Sequence, residues 1–174
     1  MIDDASEAPL IERARAGDAR AFDELLGPHR DKLWSICVRV TRNHADAEDA
    51  VQNCMIAIWR GLPRFRGEAM FSTWTYRIAA NAALGIVRHR REVPVEEIFD
   101  VEPDPGFEDG IALHDEIQAA LRIVPEDFRV ALVLREYGGL TYEEIAEHQG
   151  IPVQTVKSRL NRARAAVRTA LAFS

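Results

Sequence analysis

Between Glu92 and Glu116 the chain holds ten acidic residues, three prolines and two glycines, and not one Lys or Arg. Such a stretch has too little apolar surface to offset the entropy of ordering it, and its prolines break any helical period. It reads as a linker, so the 174-residue chain must build its order in two pieces, each with a small core of its own. The same stretch conceals a charge asymmetry. The formal net charge is -6, yet with those ten acids set aside 18 of the 28 remain against 22 Lys and Arg, a balance of +4. Two neutral-to-basic pieces therefore flank an acidic one, and the overall acidity is a poor guide to partners.

Both pieces repeat apolar residues at helical spacing. Asp18 caps a helix opening "ARAFDELL", whose stripe of Phe22, Leu25 and Leu26 continues through Leu33, Ile36, Cys37 and Val40, with a break at Gly27 and Pro28. After the turn "TRNHAD", residues Val51, Cys54, Met55, Ile58 and Trp59 line one face of a helix with Asp46, Glu48 and Asp49 near its start. "GLPRFRGEAMF" is a loop, and Ser72 or Thr73 caps a helix running to about Arg91. Helical pattern resumes near Leu113, Pro125 starts a further helix, and Gly138 and Gly139 end it. The expected fold is all-α: two small helical domains, 1-91 and 113-174, joined by an acidic flexible linker, 92-112. No apolar run approaches the ~20 residues of a membrane span, and "MIDDASEAP" lacks the basic start of a secretory signal, so a cytoplasmic chain without membrane insertion is expected. Cys37 and Cys54 fall on apolar faces and read as buried thiols; a zinc site with His29 or His44 matches no ligand spacing.

The stretch "LTYEEIAEHQGIPVQTVKSRLNRAR", Leu140 to Arg164, changes character midway. Thr141 and Glu144 make a capping box, Gly150 supplies a turn, Pro152 is tolerated at the next helix start, and Val156, Leu160, Ala163, Val167 and Leu171 continue an apolar stripe. From Val153 onward the only charges are Lys157, Arg159, Arg162, Arg164 and Arg168. Two short helices about a glycine turn, the second basic, form a helix-turn-helix, whose cations suit phosphates and guanine edges. A merely solvated basic face explains the charges, but not their coincidence with the cap, the turn glycine and the apolar spacing.

"GLTYEEIAEHQGIPVQTVKSRLNRARAAVR" resembles region 4 of bacterial extracytoplasmic-function sigma factors, within the sigma-70 family, while "DAEDAVQN", "WRGLPRFRGEAMFSTWTYRIAANAAL" and "RHRR" resemble region 2 of that group. The blocks stand in the family's order and span about Ala8 to Ala172. The resemblance implies a sigma factor that binds core RNA polymerase and directs promoter-specific initiation, region 2 opening the -10 element and region 4 reading the -35 element. It implies polymerase binding by Asp46, Glu48, Asp49 and Gln52. It implies capture of a flipped -10 base by Phe65, Arg66, Phe71, Ser72, Thr73 and Trp74, although aromatics at this spacing also bury well in a core. Arg77, Asn81, Arg88, Arg90 and Arg91 would meet the -10 strand; Arg135, Thr155, Lys157, Ser158, Arg159 and Arg162 would meet the -35 duplex.

Asn53 stands where the family usually has Glu, Ala80 where Arg is common and Gly85 where Asp is common, and Met70 lies inside the capture loop. The implied partners are core polymerase, promoter DNA and an anti-sigma factor; no catalytic residue, metal or cofactor is implied. In the family the linker lies within polymerase, where its charge would mimic nucleic acid; a plain tether is the alternative. A stand-alone helix-turn-helix regulator would use only the C-terminal half, leaving "DAEDAVQN" and the aromatic loop unexplained. A metal-dependent hydrolase built on His44, Asp46 and Asp49 lacks a complete ligand set.

Overall fold

The structure, a computed structural model, describes residues 4–92 and 111–172, with side chains placed over 7–90 and 116–172. Among the described residues the regular elements are all helical, with no strand: α1 Asp4–Arg15, α2 Ala19–Leu26, α3 Arg30–Thr41, α4 His44–Gly61, α5 Phe71–Glu92, α6 Ile111–Arg122, α7 Glu126–Glu136, α8 Tyr142–Gln149 and α9 Val153–Ala172. Most of the expected linker, and the side chain of Arg91, lie outside the described residues.

Local signals set most of these boundaries. The Asp18 carboxylate accepts from the N–H groups of Arg20 and Ala21, opening α2. At the expected break Pro28 sits in a 3-10 turn, Gly27–His29, before α3 begins. Asn43 accepts from the Asp46 N–H and opens α4. The start of α5 departs from the expected cap. Trp74 donates its N–H to the Met70 carbonyl at 3.0 Å, so Ser72 and Thr73 fall within the first turn instead of capping it. Helix α1, which the sequence reading leaves unassigned, buries Ile11 and Ala14 and carries Glu7 to buried His29, Oε1 to Nε2 at 2.8 Å.

Helices α3, α4 and α5 pack mutually around Leu33, Ile36, Cys37, Val40, Cys54 and Ile58, with Ala47, Ala50, Ala79, Ala80 and Ala83 between the backbones. Small side chains at those five positions allow close helix approach. Both thiols are buried as expected; burial pushes Cys54 up to about 12 and Cys37 higher still, with Cys54 beside it adding to the shift. Among the described residues no group of three or more His, Cys, Asp or Glu could hold a metal ion, and no helix is long and apolar enough to cross a membrane.

The C-terminal unit wraps α6 to α9 around Leu134, Leu140, Ile145, Val156 and Leu160. Arg129, only 2% exposed, donates to the carbonyls of Leu121 and Val124 and so ties α7 to the end of α6. The Thr141–Glu144 capping box forms in full, and Gly150 takes the left-handed conformation, φ 64°, that ends α8. The two units are in contact, α7 against α3 and α5, with the Arg39 guanidinium 3.9 Å over the ring of Tyr137.

Candidate nucleic-acid interface

The loop after α4 begins with a 3-10 turn, Leu62–Arg64, and delivers Phe65 against the first turn of α5. Phe65, Phe71 and Trp74 cluster with ring centroids 4.9 to 5.8 Å apart. Gly61 lets the indole approach, since a Cβ there would lie 3.0 Å from Trp74 Cζ2. Phe71 is 1% exposed and forms the floor, which gives it the core role that competed with base capture; Phe65 is nearly buried and Trp74 half-buried. Beside them opens a cleft of about 280 Å³ lined by Phe65 and Trp74, by the cations Arg64, Arg66 and Arg77, and by the acids Glu68, which pairs with Arg66, and Glu147 of α8. An aromatic wall with three guanidiniums at a rim of mixed charge suits a single strand, a base on the ring face and phosphates on the guanidiniums. Met70 is exposed in the same loop, Ser72 is half-buried, and Thr73 is buried, its hydroxyl donating to Glu144 Oε1 at 3.0 Å.

The cations of α5 are largely engaged. Arg77 donates to the Glu144 carbonyl at 3.0 Å and to Glu147 Oε2 at 2.8 Å. Arg88 pairs with Glu126 at 3.3 Å, and Arg90 with Asp46 at 2.6 Å. Exposed Asn81 lines a second cleft of about 280 Å³ with Arg88, Asp127, His148, Gln149 and Arg159. Burial, and then the charge of Arg77, hold the His148 imidazole below its ordinary value. Burial works to raise Glu144, but bonds from the Thr141 N–H and the Thr73 and Thr141 hydroxyls, with Arg77 nearby, keep its carboxyl below the usual range. Ala80 is fully buried, whereas Gly85 faces open space.

On α4, Glu48, Asp49 and Gln52 are exposed, while Asp46 is half-buried under Arg90. The sequence reading put Trp59 on the buried face; instead it is 38% exposed, its ring edge-on to Phe22, while Cys54 and Ile58 of the same helix are the fully buried ones. With Ile56, 49% exposed, it extends the acidic face with apolar area that periodicity did not reveal.

On α9, Lys157, Ser158 and Arg162 are exposed and Thr155 half-buried. Arg159 turns inward to Gln149 Oε1 at 3.0 Å and Asp127 at 3.4 Å, and lies 5.6 Å over the ring of Phe128. Arg135 donates to the Leu140 carbonyl at 2.7 Å and sits 5.0 Å over Tyr142, bracing the turn before α8. Sequence reasoning did not place Glu144, Glu147, Glu126 or Asp127 near the candidate site. The only available signal was the crowding of Glu143, Glu144 and Glu147 into the first half of the helix-turn-helix.

Two family patterns match, Sigma-70 region 2 over residues 25–93 and Sigma-70 region 4 over 114–167. The chain is 39% identical to the RNA polymerase sigma-H factor of Pseudomonas aeruginosa, covering 98% of this chain and 96% of that one. It is 36% identical to the ECF RNA polymerase sigma-E factor of Escherichia coli, covering 96% and 95%. Among solved structures, RpoE in complex with the anti-sigma factor NepR from Bartonella quintana is similar with a TM-score of 0.72 and 25% identity, over 88% of this chain and 98% of that one. CnrH in complex with the cytosolic domain of CnrY shares the fold, with a TM-score of 0.72 and 24% identity over 95% and 96%.

Proposed function

The chain belongs to the sigma-70 family, in its extracytoplasmic-function group, and from that premise we propose a division of labour among its exposed faces. It is a sigma factor: it binds core RNA polymerase and directs promoter-specific initiation. It acts by binding, in the cytoplasm, without catalysis of its own. The N-terminal unit, 1-91, takes polymerase through Glu48, Asp49 and Gln52 of α4, with Ile56 and Trp59 adding apolar contact. The aromatic cleft and the cations of α5 take the -10 strand, and the unit 113-174 takes the -35 duplex through Lys157, Ser158 and Arg162 of α9. An anti-sigma factor holds it inactive, as the complex of the related RpoE with NepR supports.

The observation that carries this reading is the cleft in which Phe65, Trp74 and Arg77 meet. A base flipped from a duplex costs a few kcal/mol, and stacking returns about 1–3 kcal/mol per base. Trp74→Ala holoenzyme should therefore bind duplex promoter but lose open complexes roughly tenfold, read by permanganate reactivity at the -10 element. Wild-type opening by that variant would remove the cleft from the mechanism. Failure of the wild-type chain to direct promoter-specific transcription with core polymerase would remove the functional reading itself.

A further inference from the structure

We propose that His29 is a positioning residue for base capture: Glu7 and Tyr76 fix its ring, and the ring fixes Phe71, the floor of the aromatic cleft. The inference rests on the functional reading above and adds to that same site residues that need touch no DNA. His29, 1% exposed, meets the Phe71 ring at a centroid distance of 5.6 Å and an interplanar angle of 63°. Phe71 in turn meets Phe65 and Trp74, each at 5.8 Å. A tilt of the imidazole therefore passes through one buried ring to both of the rings on which a base would stack.

The imidazole is held at both nitrogens. Nε2 lies 2.8 Å from Glu7 Oε1, and Nδ1 lies 3.3 Å from the Tyr76 hydroxyl oxygen. A ring that donates Nε2–H to Glu7 accepts the Tyr76 hydroxyl at Nδ1. Burial, and then the charge of Glu7, raise the Tyr76 phenol above its ordinary value, so it keeps the proton that it donates. Turning the imidazole breaks both bonds, whereas a phenylalanine in its place would be fixed by packing alone. Glu7 is carried by a helix already tied to the capture loop, since Arg15 of α1 donates Nε–H to the Leu62 carbonyl at 3.3 Å, where the 3-10 turn that delivers Phe65 begins. Apolar side chains would fill this part of the core without desolvating a carboxylate, an imidazole and a phenol. What the polar trio adds is one fixed ring orientation beneath the cleft. Glu7 also lies ahead of the segment, 25–93, that the region 2 pattern spans.

The test uses holoenzyme and single-stranded oligonucleotides carrying the -10 non-template sequence, whole or with one abasic site at each position in turn, with anisotropy as the readout. The abasic site that weakens wild-type binding most marks the captured base. Glu7→Leu, His29→Phe and Tyr76→Phe together replace the trio by apolar groups, keep a ring against Phe71 and leave no buried polar partner unpaired, so the urea midpoint should stay near that of wild type. This holoenzyme should bind the whole oligonucleotide roughly threefold to tenfold more weakly, and the marked abasic copy as tightly as wild type does. Tyr76→Phe alone removes one hydroxyl from the ring's Nδ1 and should lose about twofold to threefold, again on the whole oligonucleotide only; it decides the question even where the triple variant folds poorly. Equal losses on the whole and abasic strands, which a merely structural role would give, or full affinity in both variants would overturn the proposal. Wild-type holoenzyme that bound every abasic copy as tightly as the whole strand would overturn the capture reading itself, and the proposal with it.

Discussion

Arg159 occupies a divided position at the start of α9, where its neighbours Lys157, Ser158 and Arg162 face outward while it bonds Gln149 and stacks over Phe128. Arg159→Ala should therefore lower the stability of the chain by about 1 kcal/mol, measured by urea unfolding, as well as altering DNA binding. Lys157→Ala and Arg162→Ala should leave the unfolding midpoint in place and change selection from a library randomised across the -35 element. Arg168→Ala, on an exposed position two to three turns further along, should change neither. A second residue-scale prediction concerns Glu7: its loss leaves buried His29 without the partner of its Nε2 and should cost about 1–3 kcal/mol in the same assay. Legibility at this scale follows sequence distance. The caps at Asp18 and Thr141 were readable because donor and acceptor lie within three residues. The Arg90–Asp46 pair was not, because only the packing of α5 on α4 brings residues 44 positions apart together.

Helices with a strong apolar period were legible as elements, and the weakly patterned one was not. Helix α1 holds Pro9 in its interior and owes its place to Ile11 and Ala14 packing into the N-terminal core, which is a tertiary cause. The loop before α5 was read correctly, but its cap was misplaced because a backbone carbonyl, that of Met70, does what a hydroxyl was expected to do. Two glycines give opposite predictions. A Cβ on Gly85 would meet nothing within 4 Å in the interior of α5, so Gly85→Ala should raise stability by about 0.5–1 kcal/mol. Gly150 is left-handed at the end of α8, so Gly150→Ala should lower it by about 1–2 kcal/mol. Thermal unfolding of the two variants beside wild type checks both signs.

At the scale of the whole molecule, the two-unit architecture was legible from composition, whereas the contact between the units depends on tertiary placement and was not. That contact carries a pH dependence. His148 is held below its ordinary value of 6.5 by burial and by Arg77, and shares its cleft with Arg88 of α5, Asp127 of α7 and Arg159 of α9. A depressed histidine favours the contact between the units fully above 6.5; below that value the imidazole takes up a proton more readily once the units part than while they touch, and the contact weakens as pH falls. Glu144, also depressed, acts in the same direction at lower pH, below its ordinary 4.5. The radius of gyration should therefore grow as pH falls through 6.5, and His148→Gln should flatten that step. The buried thiols bear on how a parting of the two units can be watched. Cys37 and Cys54 are the only cysteines in the sequence; neither is solvent-accessible, and neither forms a thiolate near neutral pH. A maleimide dye should pass both by, so fluorophores coupled to one introduced cysteine on α4 and another on α9 would report energy transfer between the units with the native thiols left in place.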